Sequence, residues 1–420
     1  MMRVHIRNGR VVDPAIGKDS SGDIFVVDGK ISPEGGKADR VIDARGLVVA
    51  PGLIDLSARL REPGYEYKAT LESEMDAALA GGVTSLACPP DTDPPLDEPG
   101  LVDMLRRRAK ALSRARVYPV GALTVKLEGQ ALTEMGQLTD AGCVAFSQAN
   151  APLADTQVLW RALQYAATFG YPVWLRAEDA WLAKGGVAHD GEVATRLGLP
   201  GIPPFAETIA LATLLELVRA TRARVHVCRL STAGGVELMR RAKQEGLPVT
   251  CDVGVHHVHL CDMDLGYFDS LCRLEPPLRS QRDRDALSRG LADGVVDCLC
   301  SDHTPVDEDG KHLPFAQAEP GATGLELLLP LALKWGQSAG LGLAATLARI
   351  TSEPARILGV ASGRLAPGAP ADLALFDAAA PVKVAPETLK SQGKNTPFLG
   401  YELTGRVRYT IVAGNVVYES

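Results

Sequence analysis

Short apolar runs alternate with amphipathic stretches through the middle of the chain. Eight runs stand out: GLIDL (52–56), VTSLAC (83–88), VYPVGAL (117–123), CVAFS (143–147), PVWLRAE (172–178), RVHVC (224–228), VTCDV (249–253) and VDCLCS (296–301). Nearly continuous apolar runs of this length suit strands covered on both faces. Between them, segments such as LESEMDAALAGG, LVDMLRRRAKALSR and AGGVELMRRAKQEG carry apolar residues at helical spacing. Eight strand–helix alternations predict an α/β fold of the (β/α)8 barrel type, with a doubly wound parallel sheet as the structural alternative.

The two ends have a different rhythm. VHIRN, RVVD, IFVVDGKI and RVIDARGLVVAPG at the start, and ADLALFD and YELTGRVRYTIVAGNVVY near the end, are short β-rich runs punctuated by Gly, Asp and Asn. This pattern predicts antiparallel strands and one small composite domain, residues 1–51 plus 359–420, beside a barrel over 52–358. DTDPPLDEPG (91–100) and VDEDGKHLP (306–314) read as loops at strand C-terminal ends, where barrel sites are built.

Composition narrows the function. With 420 residues, 46% hydrophobic and 23% charged, the chain is a globular protein long enough for a large core, not a disordered or fibrous one. A net charge of −7 gives no global field for nucleic acid or an anionic membrane, so any anion site must be local. The eight cysteines show no C-x-x-C spacing and are expected to be buried, reduced thiols. The opening MMRVHIRNGRVVD has no apolar signal core, and no run of 18 apolar residues occurs, so a cytoplasmic, unanchored protein is expected.

Five segments carry a family resemblance: PGLIDL followed after three residues by LREPG (51–64), EPPLR (275–279), SDHTP (301–305), ATGLE (322–326) and NTPFLGYELTGRV (395–407). In this order they resemble dihydroorotases of the amidohydrolase superfamily. The resemblance implies a zinc-bearing barrel, a β-sandwich made from both ends, and reversible closure of carbamoyl-aspartate to dihydroorotate.

The chain departs from the family's metal site. Where the resemblance places H-x-H after the first barrel strand, it has Ser57-Ala58-Arg59, and where a carboxylate follows the fourth strand it has Ser147-Gln148-Ala149-Asn150. The histidines expected after the fifth and sixth strands are Arg176 and Arg229, and of that set only Asp302 remains. Zinc needs three or four imidazole, thiolate or carboxylate donors. Arginine offers no lone pair and stays charged. The expectation is therefore no family zinc and no other cofactor, with Ser57, Arg59, Gln148, Arg176, Arg229 and Asp302 as vestigial metal positions.

The substrate positions are mixed. Arg61 matches the arginine that the resemblance assigns to the substrate carboxylate, while two amide partners have become Asp91 and Glu275, and a histidine has become Val306. His303 and Asn395 are also kept. Asp91, Glu178, Glu275 and Asp302 could pair with Arg59, Arg176 and Arg229 and fill the emptied cavity, because buried charges must be paired. The rival reading is an anion pocket for a regulatory metabolite. His256-His257-Val258-His259 is the only histidine cluster, and on a strand His257 and His259 would share a face. Cys228, beside Arg229, and Cys300 are candidate thiolates near the rim.

Some dihydroorotase-like chains without zinc ligands assemble with aspartate carbamoyltransferase as non-catalytic subunits, and this sequence resembles such a chain. The expected role is a pseudoenzyme of pyrimidine biosynthesis and a partner of the carbamoyltransferase, in a homo- or hetero-oligomer. The alternatives are an active cyclic amidohydrolase, with Asp302 moving the proton, and an anion-binding module.

Overall fold

The computed structural model describes residues 3–420. The amino-terminal strands are β1 (Arg3–Asp13), β2 (Lys18–Val27), β3 (Lys30–Ser32), β4 (Arg40–Asp43) and β5 (Val48–Pro51). The chain then enters β6 (Leu53–Asp55), β7 (Val83–Cys88), β8 (Arg116–Ala122), β9 (Ala145–Ser147) and β10 (Val173–Leu175). A two-stranded parallel insertion follows, β11 (Ala188–His189) with β12 (Gly201–Ile202), before β13 (Val225–Val227), β14 (Val249–Gly254) and β15 (Cys298–Cys300). The carboxyl end returns as β16 (Leu373–Lys383), β17 (Glu402–Val412) and β18 (Asn415–Glu419).

Strands β6 to β10 and β13 to β15 pair in parallel in sequence order, each falling within one of the eight apolar runs apart from the Arg116 edge of β8 and the Gly254 edge of β14. The ring is nearly closed. Between its first and last members, a parallel bridge joins Ala58 to His303, and Ser301 N–H donates to the Asp55 carboxylate at 2.9 Å. Side-chain alternation along the strands sends Ile54, Leu56, Ala87, Val120, Ala145, Trp174, Cys298 and Cys300 into the lumen. The opposite faces, with Val173, Leu175, Val225, Val227 and Leu299, pack against the surrounding helices in the largest core.

The helices begin where the sequence offers caps. Thr70 accepts from Ser73 N–H at the start of Leu71–Ala80, and Asp155 accepts from Gln157 and Val158 N–H at the start of Thr156–Phe169. The acidic segment after β15, read as loop, contains one helical turn, Glu308–Lys311.

The ends form one eight-stranded sheet in the order β18-β17-β16-β5-β1-β2-β3, with β4 also on β1. The expected antiparallel pattern is corrected here: β1 pairs in parallel with β4 and with β5. An irregularity between Ile6 and Gly9 divides β1, so its first half bonds β4 and its second half β5. The sheet is mixed for that reason, and Val4, Ile6, Val11, Ile24, Val49, Leu373 and Ile411 form its own core.

Candidate functional site

Three arginines converge where the barrel strands end. Arg59 follows β6, Arg176 follows β10 and Arg229 follows β13. Their side chains are only 5%, 4% and 4% exposed, so each needs internal partners. Arg59 donates from Nε to Asp91 at 2.7 Å, from Nη1 to Thr304 at 3.0 Å and Asp302 at 3.4 Å, and from Nη2 to Asn150 Oδ1 at 3.2 Å. Arg176 holds Glu178 through both terminal nitrogens, at 2.6 and 2.8 Å, and Glu275 at 2.7 Å. Arg229 donates from Nη1 to Asp302 at 3.2 Å and from Nη2 to Asn150 Oδ1 at 2.6 Å.

Every guanidinium therefore touches a carboxylate, and all four carboxylates expected from the sequence take part. Asp302 is shared by Arg59 and Arg229, and Ser57 Oγ also approaches it at 3.4 Å. The electrostatics follow the contacts. Burial raises the Asp91 carboxyl, but Arg59 and the other arginines outweigh it and hold the pKa below the ordinary value. Burial also works against the Arg229 charge, yet Asp302 leads the contributions that keep its pKa above normal. Arg229 and Asp302 both adopt left-handed backbone, at φ 53° and 46°. Such conformations cost energy and persist where surrounding bonds dictate them; here Arg229 N–H donates to Asp252 at 2.5 Å and His303 N–H to Ser57 O at 3.1 Å.

Asn150 was the residue whose role the sequence concealed. Its amide oxygen accepts from Arg59 and Arg229, and its backbone carbonyl accepts from Arg176 at 3.0 Å, so one residue touches all three arginines. Gln148 is turned away from them: it pairs with Thr124 Oγ1 and donates to Leu127 O at 2.8 Å.

Arg61 stands apart. It donates from Nε to Pro305 O at 2.8 Å and lies over the Tyr65 ring, and among the described residues it makes no ion pair. Burial, followed by Arg59, lowers its pKa. The other kept residues have structural partners. His303 meets Glu74 at 2.6 Å and accepts from Gly324 N–H at 3.1 Å. Glu74 also accepts from Ser391 Oγ at 2.6 Å; its one sequence signal was a carboxylate beside Met75 on the buried face of its helix. Asn395 bonds the backbone of Thr304, Gly321 and Val306.

Two side readings are corrected. His256 and His257 lie in a 3-10 turn, Val255–Val258, that His259 caps, not on a strand, so period-2 alternation does not apply. His257 meets Pro276 O at 3.0 Å, His259 meets Leu331 O at 2.9 Å, and His256 stacks on Phe398. As for the thiolates, burial raises Cys228 and Cys300 well above the usual thiol pKa, which leaves them protonated.

Sequence comparison agrees with this architecture. Residues 46–234 match the "Dihydro-orotase-like" family model and 206–418 the "Amidohydrolase family" model. A "Dihydroorotase-like protein" of Pseudomonas aeruginosa is 47% identical, with all of both chains covered. The chain belongs to the dihydroorotase-like family. Another family protein of the same description, from Pseudomonas putida, is 45% identical over 99% of each chain. A Geobacter protein described as "Dihydroorotase" is 40% identical over the whole of both. Among solved structures, an L-hydantoinase (dihydropyrimidinase) from Arthrobacter aurescens superposes with a TM-score of 0.87 at 27% identity, covering 100% of this chain and 96% of that one.

The family's zinc does not fit the residues present. At the positions that resemblance assigns to its ligands, guanidinium groups already bond the available carboxylates, and a divalent cation among them would meet three positive charges.

Proposed function

We propose that this chain is a non-catalytic member of the dihydroorotase-like family, acting as a structural partner of aspartate carbamoyltransferase in pyrimidine biosynthesis. The observation that carries the non-catalytic part is the pairing of Arg59, Arg176 and Arg229 with Asp91, Glu178, Glu275 and Asp302. With those carboxylates committed to guanidinium groups, Asp302 has no activated water from which to take a proton. The same pairing favours cavity filling over an anion pocket, since each of the three cations already has a carboxylate.

The partner rests on resemblance to zinc-free chains of this family and on a physical argument. The arginine network holds the strand ends without metal, and a scaffold that does not depend on zinc can persist for its surface alone. The experiment is size-exclusion chromatography of the full chain mixed with the aspartate carbamoyltransferase of its own organism. Co-elution in a defined ratio is expected. Separate elution of both proteins at micromolar concentration would reject the partnership.

A further inference from the structure

Below the arginine layer the lumen holds a second set of polar side chains. Parallel register places Trp174, His226 and Thr250 in one layer and pairs Asp252 with Cys298 in the next. Cys228, one residue past the end of β13, packs against the same lumen cluster as Trp174 and Cys298. The imidazole of His226, the thiol of Cys228 and the carboxylate of Asp252 bring ligand atoms within 4.8 Å of one another. His226 and Asp252 are 2% and 1% exposed in their side chains.

We propose that His226, Cys228 and Asp252 hold one zinc-class divalent cation inside the barrel, beneath the positions from which the family's ligands are lost. Three observations support this site. The first is geometry: His226 Nε2 lies 3.0 Å from Asp252 Oδ2, while two tetrahedral ligands at ~2.0–2.1 Å from zinc stand about 3.3 Å apart, so a small outward shift admits the ion. The other ring nitrogen, Nδ1, meets Thr250 Oγ1 at 2.9 Å, a partner able to orient the imidazole as metal-binding histidines require.

The second is charge. The Asp252 carboxylate is buried with the His226 imidazole as its ion-pair partner among the described residues, and a divalent cation between them would meet a desolvated anion that no arginine side chain neutralises. The third is access. A cavity of about 280 Å³ at the opposite end of the strands is lined by Trp174, His226 and Thr250, giving a route that avoids the arginine-filled mouth. Sulfur and nitrogen donors favour zinc over magnesium or calcium. Binding would displace the Cys228 proton to solvent, because a coordinated thiol is a thiolate.

The test is Co²⁺ titration of the chelator-treated full chain. A single equivalent is expected, with a sulfur-to-cobalt charge-transfer band that Cys228→Ser abolishes and Cys143→Ser leaves intact. No uptake, or a band unchanged in the Cys228→Ser protein, overturns the site. Should Cys228→Ser fail to fold, X-ray absorption of the zinc-loaded unaltered chain decides: a shell containing sulfur and imidazole supports the site, and an all-oxygen shell refutes it. Failure here leaves the arginine network standing, since its members are different residues.

Discussion

A single amide oxygen, Asn150 Oδ1, bonds Arg59 at 3.2 Å and Arg229 at 2.6 Å, and so ties the end of the first barrel strand to that of the sixth. Removing it strands two buried guanidinium N–H groups, each carrying a desolvation penalty of roughly 1–3 kcal/mol. Asn150→Ala is expected to lower the unfolding free energy measured in urea by that order. Asn150→Asp, which keeps an acceptor and adds charge, should lose less. Equal losses in the two variants would contradict the role given to the amide oxygen.

Arg229 and Asp302 form a buried pair at 3.2 Å, and breaking such a pair from one side typically costs about 3–5 kcal/mol because the survivor stays buried and charged. Arg229→Met and Asp302→Asn should each destabilise strongly by chemical denaturation. The double variant should cost clearly less than the sum of the two. Simple additivity would mean that they do not depend on each other.

His256 links stability to acid. Burial, then His257 and His259, lowers its pKa from the ordinary 6.5 to about 3. The unfolded chain therefore binds the extra proton between these values, and this group's contribution to stability falls as pH drops from about 6.5 towards 3. His256→Phe, which keeps an aromatic ring on Phe398, should flatten that part of the acid-unfolding profile by a few kcal/mol. An unchanged slope below pH 6 would show that other groups govern it.

Restoring imidazoles alone should not restore activity. Ser57→His, Arg59→His, Arg176→His and Arg229→His together free Asp91, Glu178, Glu275 and Asp302 from their cations. The expected result is zinc uptake at the barrel mouth, lower stability in chelator and no turnover, because acids and Val306 occupy the places of amide and imidazole substrate contacts. A carboxylate introduced at Gln148 should add little, since that side chain points to Thr124 and Leu127.

The barrel was legible because its strands are nearly continuous apolar runs, and their order and parallel pairing follow from the alternation with helices. The arginine–carboxylate pairing was legible too, since a buried cation must find an anion and only a few acids sit at strand ends. Asn150 was not, because a neutral amide in a loop has no charge to mark it, and its double acceptance depends on where two arginines from distant segments meet. The parallel pairing of β1 with β4 and β5 was hidden for a related reason: local alternation fixes which face a residue occupies, not which neighbour its backbone bonds. His257 and His259 misled through a period-2 argument on a segment that had already turned.

The most direct test of the central claim is dihydroorotase turnover, assayed in both directions on the purified full chain with zinc supplied. The account predicts no turnover above the protein-free reaction, in dihydroorotate hydrolysis and in carbamoyl-aspartate cyclisation alike. Zinc-dependent turnover, removed by chelator and by Asp302→Asn, would contradict it and return the chain to the active members of its family.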